Sequence, residues 1–262
     1  MEGEVKMAEI KYLLKFGKRE HLESLVKGNI YCSNAITFWG IEDTLKIKGQ
    51  GDVLEAGTRM FAQKMIMQDL DTHEVVAEFG KSNGLVRVEP AEKMPVFCMF
   101  AVYEDDCKAN DNGDIEINLS EDKKQTIREH FPNADAVAII SNPEVFVEDI
   151  KKSIGTEIKA ENVHYFHIDK GFATKDGETA MDMEHMKYLM QDAHPVKIDG
   201  ATKYTFYEDY AFRVLFCKDI FFEKEQEYRI VMPNEKIENG KNYPVNFSTE
   251  YEICDLNTFF EN

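Results

Sequence analysis

The run Val96-Phe97-Cys98-Met99-Phe100-Ala101-Val102 sits between Pro95 and the polar Tyr103-Glu104-Asp105-Asp106, and it constrains the fold more than any other stretch. It is far shorter than the ~20 apolar residues that a membrane-crossing helix needs. Its valine and aromatic content, opened by a proline, suits a strand. No polar position interrupts it, so it reads as a central strand covered on both faces. At 262 residues the chain is long enough for one large domain or two small ones.

Strands and helices are expected to alternate around this run. Residues 10–16 suit a strand, and Leu22, Leu25 and Val26 then share one helical face that ends at Gly28. Residues 29–32 resume as a strand, and 40–57 read as turn-rich. Residues 60–68 and 74–79 form the arms of a hairpin that turns at Asp69-Leu70-Asp71-Thr72-His73, and 85–88 form a short strand. Ser120 caps a helix that runs to about residue 130, 134–141 is a strand, and Asn142-Pro143 opens a second helix to 154. Strands are expected at 163–169, 204–216 and 221–232, with 246–260 docking as a last strand or edge. Residues 179–192 read as a Met-rich amphipathic helix, its stripe either core or an adaptable binding face. There is no repeat, no low-complexity linker and no break in composition. Residues 1–262 are therefore expected to form one α+β domain with a mixed or antiparallel central sheet, flanking helices and a more helical lobe or insertion at about 120–195.

Composition removes several function classes. The net charge is −18, and the longest basic pieces are Lys15-Phe16-Gly17-Lys18-Arg19 and Lys123-Lys124. Direct binding to a nucleic-acid backbone is not expected without a basic stripe. The charge fits a soluble protein and leaves open an acidic surface that competes for a basic groove on a protein partner. The start, Met1-Glu2-Gly3-Glu4-Val5-Lys6, lacks a secretory pattern, so a cytosolic protein without membrane association is expected. Five widely spaced cysteines with no CxxC argue against a disulfide framework and against a cysteine zinc site. Cys32, Cys98 and Cys217 lie in apolar runs and read as buried. His164 and His167, three apart in a strand, fall on opposite faces and do not share a metal. Gly49-Gln50-Gly51-Asp52 has Leu54 where GxGxxG needs its third glycine, and GxxxxGK[ST] is absent. The acidic loop at 104–118 fails the calcium-loop order.

The stretch Lys218-Asp219-Ile220-Phe221-Phe222-Glu223-Lys224-Glu225-Gln226-Glu227-Tyr228-Arg229-Ile230-Val231-Met232-Pro233 carries the chemistry. In an extended chain Glu223, Glu225 and Glu227 share a face, and Arg229 continues it. Crowded carboxylates raise the cost of ionising all of them. Acids at the lip of a buried strand form either a site or a solvated strand edge.

Tyr12-Leu13-Leu14-Lys15-Phe16-Gly17, with Glu20-His21-Leu22-Glu23-Ser24-Leu25, Gly28, Ile30-Tyr31, Ser33 and Phe38, is similar to the start of an uncharacterised bacterial and phage family of unknown function. The late stretch, with its aromatic and ExE before an arginine, resembles that family's other signature, and Trp39-Gly40-Ile41-Glu42 stands where the family carries Asn-Asp-Pro-Phe-Glu. More distantly, the chain resembles ADP-ribosyltransferases of the ExE type. That resemblance implies a transferase-like core that takes NAD as a substrate. It puts Glu227 beside an oxocarbenium-like ribose, Glu225 at the acceptor, and Ser33 or Tyr31 on the second strand. Lys15 or Arg59 would meet the pyrophosphate, and Tyr31, Phe38 or Trp39 would stack on nicotinamide unless they are core. The other reading from these residues is a non-catalytic acidic binding protein or inhibitor in phage–host conflict, occupying a basic surface on a partner protein.

Overall fold

The computed structural model describes residues 9–45, 51–110, 112–198, 200–205 and 207–261. The start of the chain, and the Gly49 and Gln50 of the glycine pair, lie outside the described residues. Six strands form one sheet in the order Lys159–Asn162, Glu227–Val231, Val96–Val102, Tyr12–Gly17, Ala136–Ile140 and Tyr251–Asp255. Every neighbouring pair is antiparallel. The apolar run Val96–Val102 is third in this order, with all but Cys98 fully buried. Helices flank the sheet, so the molecule is mixed α and β.

Alternation along the strands places two of the core clusters on the two faces of the sheet. Leu13, Phe97, Met99, Ala101, Ile140 and Ile230 pack with Leu25, and with Phe146 and Ile150 of the helix Pro143–Ile154. Leu14, Phe16, Phe100, Val102 and Val137 pack instead with Ile127 of the helix Glu121–His130, and with Leu256 and Phe260 of the helix Leu256–Glu261. Ser120 accepts from the Lys123 N–H and Asn142 from the Val145 N–H, so both cap residues close their helices. Gly28, at φ 92°, ends the helix Arg19–Val26, where a Cβ would lie 2.3 Å from the Val245 carbonyl oxygen. The strand Tyr251–Asp255 forms the outer edge beside Ala136–Ile140, as the tail was expected to do.

Four expectations need correction. The segment expected as a strand at 204–216 is a short strand Ala201–Thr205 and then a 3₁₀ stretch Glu208–Phe216. Its buried residues, Ala211, Phe212, Val214, Leu215 and Phe216, form a run broken only at Arg213 and show no two-residue alternation of a half-buried strand. The strand expected at 221–232 begins only at Glu227. Before it, Asp219 accepts from the Phe221 N–H and caps a 3₁₀ stretch Ile220–Glu225, and Gln226 turns through φ 41°. Glu223, Glu225 and Glu227 therefore do not share a strand face. The turn-rich reading of 40–57 also fails in part, because the helix Ala35–Leu45 extends into it. The Met-rich helix is confined to Met183–Leu189, because the Asp182 carboxylate caps it by accepting from the N–H groups of Glu184 and His185. Among the described residues no helix is long and apolar enough to cross a membrane.

Candidate functional site

The sheet parts near its middle. Tyr12–Gly17 pairs with Val96–Val102 only from Tyr12↔Val102 to Leu14↔Phe100. Beyond that point Lys15, Phe16 and Gly17 pair with Ala138, Val137 and Ala136 alone, while Met99 and Cys98 continue with Tyr228 and Arg229. Lys15 spans the parting and donates from Nζ to the Cys98 carbonyl at 2.6 Å. A cavity of about 200 Å³ is lined by both parted strands. Ser33, hydrogen-bonded backbone to backbone with Val96, brings the strand Asn29–Cys32 to its side.

The early and late segments of the chain meet here. Lys15, Tyr31, Ser33, Phe38, Glu225 and Glu227 all line the cavity, although about 190 residues separate the two groups in sequence. Arg59 does not join them: it stands on the strand Gly57–Ala62 and donates from Nε to Asp169 at 2.9 Å. Trp39 also points elsewhere, its indole N–H bonded to the Glu55 carbonyl at 2.8 Å and its ring covered by the Arg87 guanidinium at 3.7 Å. The rim is aromatic, with Tyr31 56% and Phe131 38% exposed, and Phe131 leans on Phe16 at 5.9 Å.

The floor is ionic. Arg229 is 1% exposed, and all five of its N–H donors are used. Nε and Nη2 donate to Glu227 at 2.8 and 3.2 Å, Nη1 and Nη2 donate to Glu55 at 2.6 and 2.9 Å, and Nη1 also reaches the Leu215 carbonyl. Lys218 lies 2.6 Å from Glu225 and 3.1 Å from Glu227, with Phe222 beneath it. The His130 Nδ1 bonds the other Glu225 oxygen at 2.6 Å. The Glu227 N–H donates to the Tyr165 hydroxyl at 2.7 Å.

Burial and charge compete at each group. Burial alone would push the Glu227 carboxyl up, but Arg229 and Lys218 outweigh it and hold the group well below the usual carboxylate range. Burial alone would pull the Lys218 ammonium down, but Glu225 and Glu227 hold it well above its ordinary value. Asp52 behaves differently: burial, with Glu55 adding to it, pushes its carboxyl up to about 7. Asp52, Glu55, Lys218 and Arg229 complete the lining, and His130 backs it. The sequence marked Arg229 as a neutraliser and quoted Lys218, but gave no sign that Asp52, Glu55 or His130 belonged to the site. These three come from a loop and a helix end that only the tertiary fold brings to the strand.

Four carboxylates and three cations line the cavity, so its formal charge is zero with Asp52 protonated and −1 with Asp52 ionised. Such a site can hold a planar ring against its aromatic rim and favour positive charge developing above its floor. Among the described residues, no group of three histidine, cysteine, aspartate or glutamate side chains could hold a metal ion. His164 packs on Tyr188 at 4.4 Å and His167 on Phe172 at 4.3 Å. No family model, no curated protein and no solved structure matches the chain.

Proposed function

We propose that this protein is an ADP-ribosyltransferase-like enzyme that cleaves the nicotinamide–ribose bond of NAD. The observation that carries the reading is the parting of the sheet at Leu14↔Phe100, with the early Lys15, Tyr31 and Ser33 on the same cavity as the late Glu225 and Glu227. A cavity of about 200 Å³ is below the roughly 300–1,000 Å³ of pockets that enclose a whole drug-sized ligand, so it takes the nicotinamide ring and its ribose and leaves the ADP half at the mouth. Tyr31 and Phe38 line the cavity and are the aromatics the ring would stack on, and Lys15 is the lining cation the pyrophosphate would meet.

In the reaction, the C1′–N bond breaks and its electron pair goes to the nicotinamide nitrogen. The positive charge moves to the ribose, above Glu227. Arg229 and Lys218 keep that carboxylate ionised and fixed in direction, so it meets the developing charge without reorganising. An acceptor then bonds C1′ and loses a proton. Incubation with NAD labelled in its adenosine half, with and without candidate protein acceptors, tests this. Nicotinamide release or transfer of label that falls in Glu227→Gln is expected. Absence of both in the wild type contradicts the enzyme.

A specific observation keeps the binding-protein reading alive. The hairpin of Met65–Gln68 and Val75–Phe79 is exposed, with Met65, Ile66, Met67, Leu70, Val75, Val76 and Phe79 all open to solvent, and it carries Asp69, Asp71, Glu74 and Glu78. Under that reading, an immobilised protein retains a basic partner in a salt-sensitive manner.

A further inference from the structure

Every other acid of the floor reaches a cationic or imidazole partner. Glu55 and Glu227 share Arg229, Glu227 and Glu225 share Lys218, and Glu225 also takes His130. Asp52 is the exception among the described residues. It is 4% exposed, its Oδ1 accepts from the Leu54 N–H at 2.9 Å, and among the described residues no donor bonds its Oδ2. The side chain lines the cavity, where a ligand can supply the missing partner.

The loop that carries Asp52 is held at three points. A Cβ on Gly51 would lie 2.5 Å from both the Glu42 nitrogen and the Phe38 oxygen, so Gly51 packs directly on the backbone of the helix Ala35–Leu45. Glu55, three residues on, is clamped by Arg229, and its carbonyl accepts from the Trp39 indole. A carboxylate in a rigid loop, with one oxygen committed and the other open to a cavity, has the geometry of a proton acceptor.

We infer that Asp52 is the general base of this site, and that the acceptor it serves is a hydroxyl, water included. The inference rests on the NAD-cleaving reading and adds to it the acceptor's chemical class. As C1′ loses nicotinamide, the hydroxyl oxygen bonds C1′ and its O–H bond breaks. The proton goes to Asp52 Oδ2 and from there to solvent at the mouth. A carboxylate acceptor would need no such base.

The charged groups around Asp52 agree with this role. Glu55 on its own loop opposes ionisation, and Lys218 and Arg229 favour it from the facing strands; burial is the largest influence, and together they bring the carboxyl to about 7. Glu225, Glu227 and Lys15 line the same cavity. A group poised there is ionised often enough to act and basic enough to take a proton.

The test is the pH dependence of NAD consumption in the full chain, for wild type, Asp52→Asn and Glu227→Gln, beside a carbon NMR titration of protein labelled at the aspartate carboxyls. The expected wild-type rate rises tenfold per pH unit up to about pH 7 and then levels. Asp52→Asn is expected to lose about 100-fold on the plateau, to lose the rising limb, and to lack the one aspartate signal that titrates near neutrality. Turnover with the wild-type pH profile in Asp52→Asn, or no aspartate signal titrating near neutrality, overturns the inference and leaves the NAD reading standing. No turnover by wild type at any pH overturns both.

Discussion

Replacing Asp52 by asparagine removes one ionisable group from the cavity floor and keeps its shape. Burial, with Glu55 beside it, pushes the Asp52 carboxyl up to about 7 from the 3.8 of a free aspartate. Between those values the folded protein holds a proton that the unfolded chain has released. Stability therefore falls as pH rises through this window, and the full cost of the ionised group is present above pH 7. About three pK units at 1.36 kcal/mol each give a cost of about 4 kcal/mol. Asparagine still offers Leu54 an acceptor and never ionises. The advantage of Asp52→Asn over wild type is therefore expected to grow by about 3 kcal/mol from pH 5 to pH 8. Urea unfolding of both proteins at the two pH values measures this directly, and groups common to both cancel in the difference. A difference that does not change with pH, or an asparagine variant that loses ground as pH rises, would refute the assignment of Asp52 as a buried acid without a cation.

Other perturbations probe the rest of the structure. Arg229→Met leaves Glu55 without its cation and Glu227 with Lys218 alone, and is expected to cost about 3–5 kcal/mol in urea unfolding at pH 7; a neutral effect would mean the cluster is not buried as described. Phe146→Ala empties a fully buried site between Phe97 and Phe247 and is expected to cost about 3–5 kcal/mol by the same assay. Gly28→Ala, at φ 92° and against the Val245 carbonyl, is expected to lower stability by more than about 1 kcal/mol, visible in the thermal midpoint. Tyr31→Ala, at a side chain 56% exposed on the rim, is expected to weaken NAD binding in calorimetry and leave the unfolding free energy within about 0.5 kcal/mol of wild type.

Much of the fold was legible because its signals are local. Seven consecutive apolar residues marked the strand Val96–Val102, and Ser120, Asn142-Pro143 and Gly28 marked helix ends by side-chain or backbone chemistry that acts over a few residues. The errors came where two periods compete. In 204–216 and 220–225, aromatic and β-branched residues favour a strand by propensity, but both fold as 3₁₀ stretches, the second closed by the Asp219 cap and burying Phe222 and Glu225 three apart. The site divides in the same way. Lys15, Tyr31, Ser33 and Phe38 were picked from resemblance, Glu225 and Glu227 first from their spacing, and all six line one cavity. Asp52, Glu55 and His130 were not, because their importance comes from long-range pairing with Arg229, Lys218 and Glu225, which no local pattern encodes. Arg59 stands apart from that cavity, for the same reason: its partner Asp169 lies 110 residues away.

The central proposal is that NAD enters the parting between Tyr12–Gly17 and Val96–Val102 with its ribose above Glu227. A crystal structure with a non-cleavable NAD analogue measures this most directly. The expected density puts the nicotinamide ring against Tyr31 or Phe38, C1′ nearest Glu227 and the pyrophosphate toward Lys15. An analogue bound elsewhere on the surface, or a cavity left empty at millimolar analogue, would contradict it.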